Sequence, residues 1–93
     1  MIVSFGSKET HKVWQGERVK KLPLEIQKIG RRKLRMLNNS QDLNDLKIPP
    51  SNKLEKLKGA LKDYYSIRIN NQWRIIFIWK QNNSHEVKII DYH

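Results

Sequence analysis

Ninety-three residues, 38% of them hydrophobic, supply one thin core and too little chain for two, so a single domain over 1–93 is expected. Nineteen Lys and Arg against nine Asp and Glu leave a formal net charge of +10, a field suited to a polyanionic partner: nucleic acid, an anionic membrane surface or an acidic protein. Cysteine is absent, which excludes a disulfide framework and any thiolate metal site.

Residues 2–5 predict a short strand closed by Gly6. Ser7 offers an N-cap, with Glu9 in the first turn, for a helix running to Gln15 and stopped by Gly16, with Val13 and Trp14 on its buried side. A second, longer helix begins at Pro23, whose missing N–H needs no intrahelical partner at the first helical position. Its apolar stripe is Ile26, Gly30, Leu34 and Leu37, widened by Ile29 and Met36, and Gly30 marks a close approach to a sheet. Asn38-Asn39-Ser40 ends it, and Ser40 is expected to cap a short turn through Leu43 and Leu46. Ile48 to Asn52 is irregular, and Lys53 to Gly59 predicts a weak strand or extended loop. From Tyr64 onward the pattern alternates as strands do: Tyr65, Ile67 and Ile69, then Trp73, Ile75, Phe77 and Trp79, then Val87 and Ile89. The most apolar run, Ile75 to Trp79, is far too short to span a bilayer. Residues 1–5 lack the pattern of a signal peptide, and the basic helix lacks an aromatic-rich insertion face, so a cytoplasmic protein without membrane contact is expected.

Strand register can be tested against charge, because residues directly opposite share a face. A two-residue turn at Asn70-Asn71 mixes arginine into the apolar rows, whereas a three-residue connection, Asn70-Asn71-Gln72, pairs Ile69 with Trp73, Ile67 with Ile75 and Tyr65 with Phe77. That register sets Arg68 opposite Arg74 on the other face, where two like charges favour an anion between or above them. A five-residue loop, Gln81 to His85, then matches Lys80 with Glu86, Trp79 with Val87 and Phe77 with Ile89, and completes a row Arg68, Arg74, Tyr92.

Arg68 and Arg74 read either as a phosphate clamp, since guanidinium presents a planar fork to phosphate oxygens, or as two solvent-facing arginines. Asp91-Tyr92-His93 brings together a carboxylate, a phenol and an imidazole able to move protons, or forms a plain tail. Lys28, Arg31, Arg32 and Arg35 recur at helical spacing, and Lys53, Lys56, Lys58 and Lys62 make a second basic patch. Either group can track an RNA backbone or lie on a solvated face. His11 and His85 stand isolated, no spacing suggests a metal site, and neither a Gly-rich phosphate loop nor a nucleophilic Ser motif is present. No metal or cofactor is expected.

The run Tyr65-Ser66-Ile67-Arg68-Ile69-Asn70-Asn71-Gln72-Trp73-Arg74-Ile75, closed by Asp91-Tyr92-His93, resembles the HigB branch of the RelE/ParE toxin superfamily. Residues 1–5, Asp42-Leu43 through Pro49-Pro50, and Leu54 to Gly59 fit the same pattern, so the likeness spans essentially the whole chain. The resemblance implies a small α+β RelE-like fold, with two N-terminal helices packed on one face of a mainly antiparallel twisted sheet. It implies a toxin of a type II toxin–antitoxin system, an endoribonuclease that cleaves messenger RNA on the translating ribosome, in contact with ribosomal RNA. By the same resemblance Arg68 and Arg74 hold the reacting phosphate and Asp91, Tyr92 and His93 complete the site; where some relatives carry a histidine this chain has Glu55, which receives no role here. The implied chemistry is metal-independent attack of the ribose 2′-hydroxyl on its own phosphate. The implied partner is a HigA-like helix-turn-helix antitoxin, through which alone the toxin meets operator DNA. A non-catalytic RNA- or DNA-binding module on the same scaffold is the alternative.

Overall fold

The computed structural model describes residues 1–92; His93, expected to complete the site, lies outside the described residues. Ser7 is extended (φ −149°, ψ 152°), and its Oγ accepts the Thr10 amide at 3.2 Å to start helix α1, Lys8–Trp14. Gly16, at φ 85°, makes the left-handed turn that follows the helix. Val13 is buried as expected, but so is Thr10, whose Oγ1 accepts the Ile89 N–H at 2.9 Å and ties α1 to the last strand.

Helix α2 spans Leu24–Asn39, so Pro23 caps it rather than forming its first turn. Ile26, Gly30, Leu34 and Leu37 are all buried, in agreement with the periodicity. The close approach at Gly30 is real: a Cβ there would stand 3.2 Å from Ile89 Cδ1 and 3.5 Å from Ile69 Cδ1. Ser40 ends α2 by donating to the Met36 carbonyl at 2.8 Å, and does not cap the next turn. Asp42 does, in a reciprocal capping box with Asp45 that opens a 3₁₀ turn over Leu43–Lys47.

Asn52 fastens this connection from inside. Fully buried, it donates to the carbonyls of Leu46 (3.1 Å) and Ile48 (3.4 Å) and to Met36 Sδ (3.1 Å), while its Oδ1 accepts from the Lys33 ammonium. Burial first, and then the charge of Arg32, hold the Lys33 pKa below 10.5.

Four antiparallel strands follow in the order β1 (Glu55–Lys56), β2 (Tyr65–Arg68), β3 (Trp73–Lys80) and β4 (Asn83–Asp91). Both helices lie against one face, over a core of Val13, Ile26, Leu34, Leu37, Ile67, Ile75, Phe77, Val87 and Ile89. The β2–β3 register is the one charge and hydrophobicity select: Tyr65 opposes Phe77, Ile67 opposes Ile75 and Arg68 opposes Arg74. The expected β3–β4 register is wrong. The strands join through a two-residue turn, Gln81-Asn82, both at positive φ (52° and 61°), so Lys80 pairs with Asn83 and Trp79 with Ser84. A bulge then shifts the ladder, with Glu86 at φ 52°, and beyond it Ile75 pairs with Ile89 and Arg74 with Ile90, not Tyr92. The bulge returns Val87 to the core side, which is why simple alternation pointed to a longer loop.

Residues 2–5 form no continuous strand. They run parallel to β4 as isolated bridges, Ile2 to Ser84 and Phe5 to Val87, because the bulge interrupts the ladder. No helix among the described residues is long and apolar enough to cross a membrane.

Two stability outcomes follow. Gly30→Leu, which drives a side chain into Ile89 and Ile69, is expected to lower unfolding free energy by about 1–3 kcal/mol in urea titration. Because a lowered lysine pKa means the unfolded chain binds more protons, stability contributed by Lys33 rises as pH climbs from its folded value toward the ordinary lysine value of 10.5. Lys33→Met is expected to flatten that rise, measured as the urea midpoint against pH.

Candidate functional site

Strand alternation divides the basic residues between two faces. On the sheet face away from the helices stand Glu55, Ser66, Arg68, Arg74, Ile76, Lys88 and Ile90, fixed by the pairs Glu55–Ser66, Arg68–Arg74, Ser66–Ile76, Ile76–Lys88 and Arg74–Ile90. Arg74 is the centre of this face and only 14% of its side chain is exposed. Its Nη1 donates to Ser66 Oγ at 2.6 Å and meets Glu55 Oε1 at 3.2 Å. Its Cζ lies 5.5 Å from the centroid of the Tyr92 ring, within cation–π range. A hydroxyl, a carboxylate and an aromatic face thus hold one guanidinium in place.

Arg68 directly opposes Arg74, and its Nη2 donates to the side-chain oxygen of Asn71 in the β2–β3 turn. That turn is itself built by Asn70, whose Oδ1 accepts the amides of Gln72 and Trp73, both at 2.8 Å. Gln72 then fastens the end of β4: its carbonyl accepts the Tyr92 amide at 2.7 Å, and its Nε2 donates to Asp91 Oδ2 at 3.0 Å. Tyr92 therefore reaches Arg74 on a diagonal, although Ile90 and not Tyr92 is the residue opposite.

Of the expected site residues, Arg68, Arg74 and Tyr92 are brought together. Asp91 is not on their face; it pairs with Trp73 and shares that residue's side of the sheet, at the edge, with Gln72. The α2 cations Lys28, Arg31, Arg32 and Arg35 belong to the helical layer across the sheet. Arg31 departs even from the exposed stripe, since its guanidinium lies against Gly16, in a cleft of about 270 Å³ also lined by Arg18, Leu24 and Lys28. Lys53 and Lys58 are exposed on the loops flanking β1, and Lys56, opposite Tyr65, sets its ammonium 4.9 Å from that ring on the helix side. Among the described residues no group of three or more His, Asp or Glu is arranged to hold a metal ion.

Ser66 is a residue sequence reasoning passed over, and Glu55 one it named at a position where some relatives carry a histidine but gave no role. Nothing local marks them: Glu55 sits in a two-residue strand, and only its pairing with Ser66 carries its carboxylate to Arg74. The available signal was the outward alternation of Ser66 with Arg68 in a strand already assigned.

The family model described as RelE-like toxin of type II toxin–antitoxin system HigB matches residues 3–93. This chain belongs to the HigB-like toxin family. It is 39% identical over 80 residues to Toxin HigB-1 of Vibrio cholerae serotype O1, an alignment covering 85% of this chain and 84% of that one. Its fold is similar to that of a YoeB–YefM complex from Staphylococcus aureus (TM-score 0.62, 22% identity, 100% of this chain and 98% of the other). A YafQ variant from E. coli has the same fold (TM-score 0.62, 16% identity, 98% and 93% coverage). The HigB-like chain is thus a type II toxin with an α+β architecture of the RelE kind.

Ser66→Ala removes the buried acceptor from Arg74. It is expected to cost about 1 kcal/mol of stability and to mobilise the Arg74 guanidinium, read from side-chain nitrogen relaxation by NMR.

Proposed function

We infer that this HigB-like toxin is an endoribonuclease that cleaves messenger RNA on the translating ribosome, in the cytoplasm, by attack of a ribose 2′-hydroxyl on the adjacent phosphate. The observation that carries this reading is the fixed guanidinium of Arg74, braced by Ser66, Glu55 and the Tyr92 ring and faced by Arg68. In such a reaction the nucleophile is already tethered, so what remains is alignment and stabilisation of the charge that builds on the phosphorane oxygens. Two guanidinium groups on neighbouring strands suit that task because each offers a planar pair of donors.

Proton movement needs an acceptor beside the 2′-hydroxyl. Glu55 supports this part of the reading: its carboxylate is half exposed and adjoins Arg74, so a phosphate docking on the guanidinium brings the neighbouring hydroxyl to the carboxylate. The proton passes from the 2′-oxygen to Glu55, the oxygen–phosphorus bond forms, and the 5′-oxygen leaves, taking a proton from the C-terminal group Tyr92 and His93. Asp91 serves as an anchor for that segment through Gln72. The products are a 2′,3′-cyclic phosphate and a free 5′-hydroxyl. No metal ion takes part in this scheme.

The partner in this reading is an antitoxin encoded beside the toxin, of the HigA-like helix-turn-helix class, and it alone brings the toxin to operator DNA. The similarity to a toxin solved in complex with YefM supports an antitoxin partner in general. The exposed cations Lys28, Arg32, Arg35, Lys53 and Lys58 are surfaces for ribosomal RNA in the same reading.

Induction in bacteria followed by mapping of RNA 5′ ends is expected to show new ends inside translated messages. Arg74→Ala is expected to reduce cleavage by at least about 10²-fold with the fold retained, and Arg74→Lys not to restore it, since an ammonium lacks the paired donors. Intact messages during wild-type growth arrest would overturn the reading. Even, additive losses of RNA affinity across all basic residues, without cleavage, would mark a binding module instead.

A further inference from the structure

One cation on the outer sheet face is left unused by the scheme above. Lys88 is paired with Ile76 on β3, two residues from the Arg74–Ile90 pair. It is therefore a diagonal neighbour of Arg74, about 7–8 Å away between backbones. Tyr92 occupies the opposite diagonal, so Arg74 is flanked along β4 by an aromatic ring on one side and an ammonium on the other.

The lysine is held, not merely exposed. Its stem passes Gly6, where a Cβ would stand 3.1 Å from Lys88 Cδ and 2.9 Å from the Glu86 carbonyl oxygen, so glycine is what leaves room for it. Its Nζ lies 5.7 Å from the centroid of the Tyr64 ring. Tyr64 is in turn fixed by its backbone, donating to the Leu61 carbonyl and accepting from the Leu57 amide, both at 2.9 Å. Between described residues the only ion pair is Arg74 with Glu55, so none of their carboxylates pairs with Lys88. An ammonium set over a ring by its neighbours, facing outward and without a counter-ion among the described residues, suits an anionic ligand.

We propose that Lys88 binds the phosphate one nucleotide along from the linkage held by Arg74, with Tyr64 as the positioning residue that keeps the ammonium in place. The backbone step from Arg74 to Lys88 is comparable to the separation of neighbouring phosphates in an extended single strand, so the RNA runs along the direction of β4, from Tyr92 past Arg74 toward Lys88. This rests on the nuclease reading for which linkage is cut, but the contact itself is a binding property.

The test is binding of a short 2′-O-methyl oligoribonucleotide, which carries the phosphates but has no free 2′-hydroxyl to react, titrated at several salt concentrations. Wild-type protein is compared with Lys88→Met, Lys88→Gln, Tyr64→Leu and Tyr64→Phe, each checked for folding by thermal melting. Loss of one phosphate contact is expected to weaken binding by about tenfold and to lower the salt slope by about 0.7 in both Lys88 variants. Tyr64→Leu is expected to lose part of the affinity and Tyr64→Phe, which keeps the ring, to retain it. Unchanged affinity and slope on loss of Lys88, or no binding by the wild type, overturns the proposal. Slope loss in a protein that cuts no message upholds the subsite and sinks the nuclease reading; cleavage without any Lys88 effect on binding sinks the subsite alone.

Discussion

The pairing of Arg68 with Arg74 across β2 and β3 is the constraint around which the outer sheet face is arranged. Two cations in that relation repel. The fold answers by giving each a different partner: Glu55 reaches Arg74 from β1, and Asn71 takes Arg68 at the turn. The Arg74 partner is charged and the Arg68 partner is neutral, so the face keeps an excess of positive charge. An anion docking there replaces repulsion by attraction without requiring either strand to move.

The rest of the molecule serves to hold this face still. Gly30 lets α2 close onto Ile69 and Ile89, so that the strands bearing the arginines are backed by packed side chains. Thr10 binds the Ile89 amide from α1, and Asn52 ties the chain leading into β1 to α2 through Lys33. That last connection matters because β1 has only two residues and cannot fix Glu55 by its own ladder. At the other end Gln72 clamps Asp91, the last residue of β4, and Tyr92 just beyond it, which is how Tyr92, outside any strand, keeps its ring on Arg74. A site made from three strands and a strand end is thereby stiffened from the helix side and from both borders.

The division of charge between two faces also changes the meaning of the net +10. Composition treats all the cations alike. In the fold, those of α2 look away from Arg74, while Arg68 and Lys88 surround it. The helix side therefore carries the exposed cations Lys28, Arg32 and Arg35, and the sheet side a small number of groups gathered around the fixed Arg74 guanidinium.

What the residues alone determined was whatever depends on short-range pattern. Helical periodicity gave α2 and the role of Gly30, and charge against hydrophobicity gave the β2–β3 register and the facing arginines. The family likeness and its α+β architecture were legible from the Trp73-Arg74 segment together with the terminal Asp91-Tyr92-His93. What the chain did not announce was set by tertiary contacts. The bulge at Glu86 inserts one residue and restores the alternation it has just broken, so a turn of two residues and a loop of five leave nearly the same pattern. Asp91 fell on the far side because strand alternation separates neighbours that sequence lists together. Ser66 was within reach of the β2–β3 register, but Glu55 joined Arg74 only once the two residues of β1, within a segment expected as a weak strand or extended loop, had found their partner, since a two-residue pairing carries no periodicity of its own and takes its register from the packing around it.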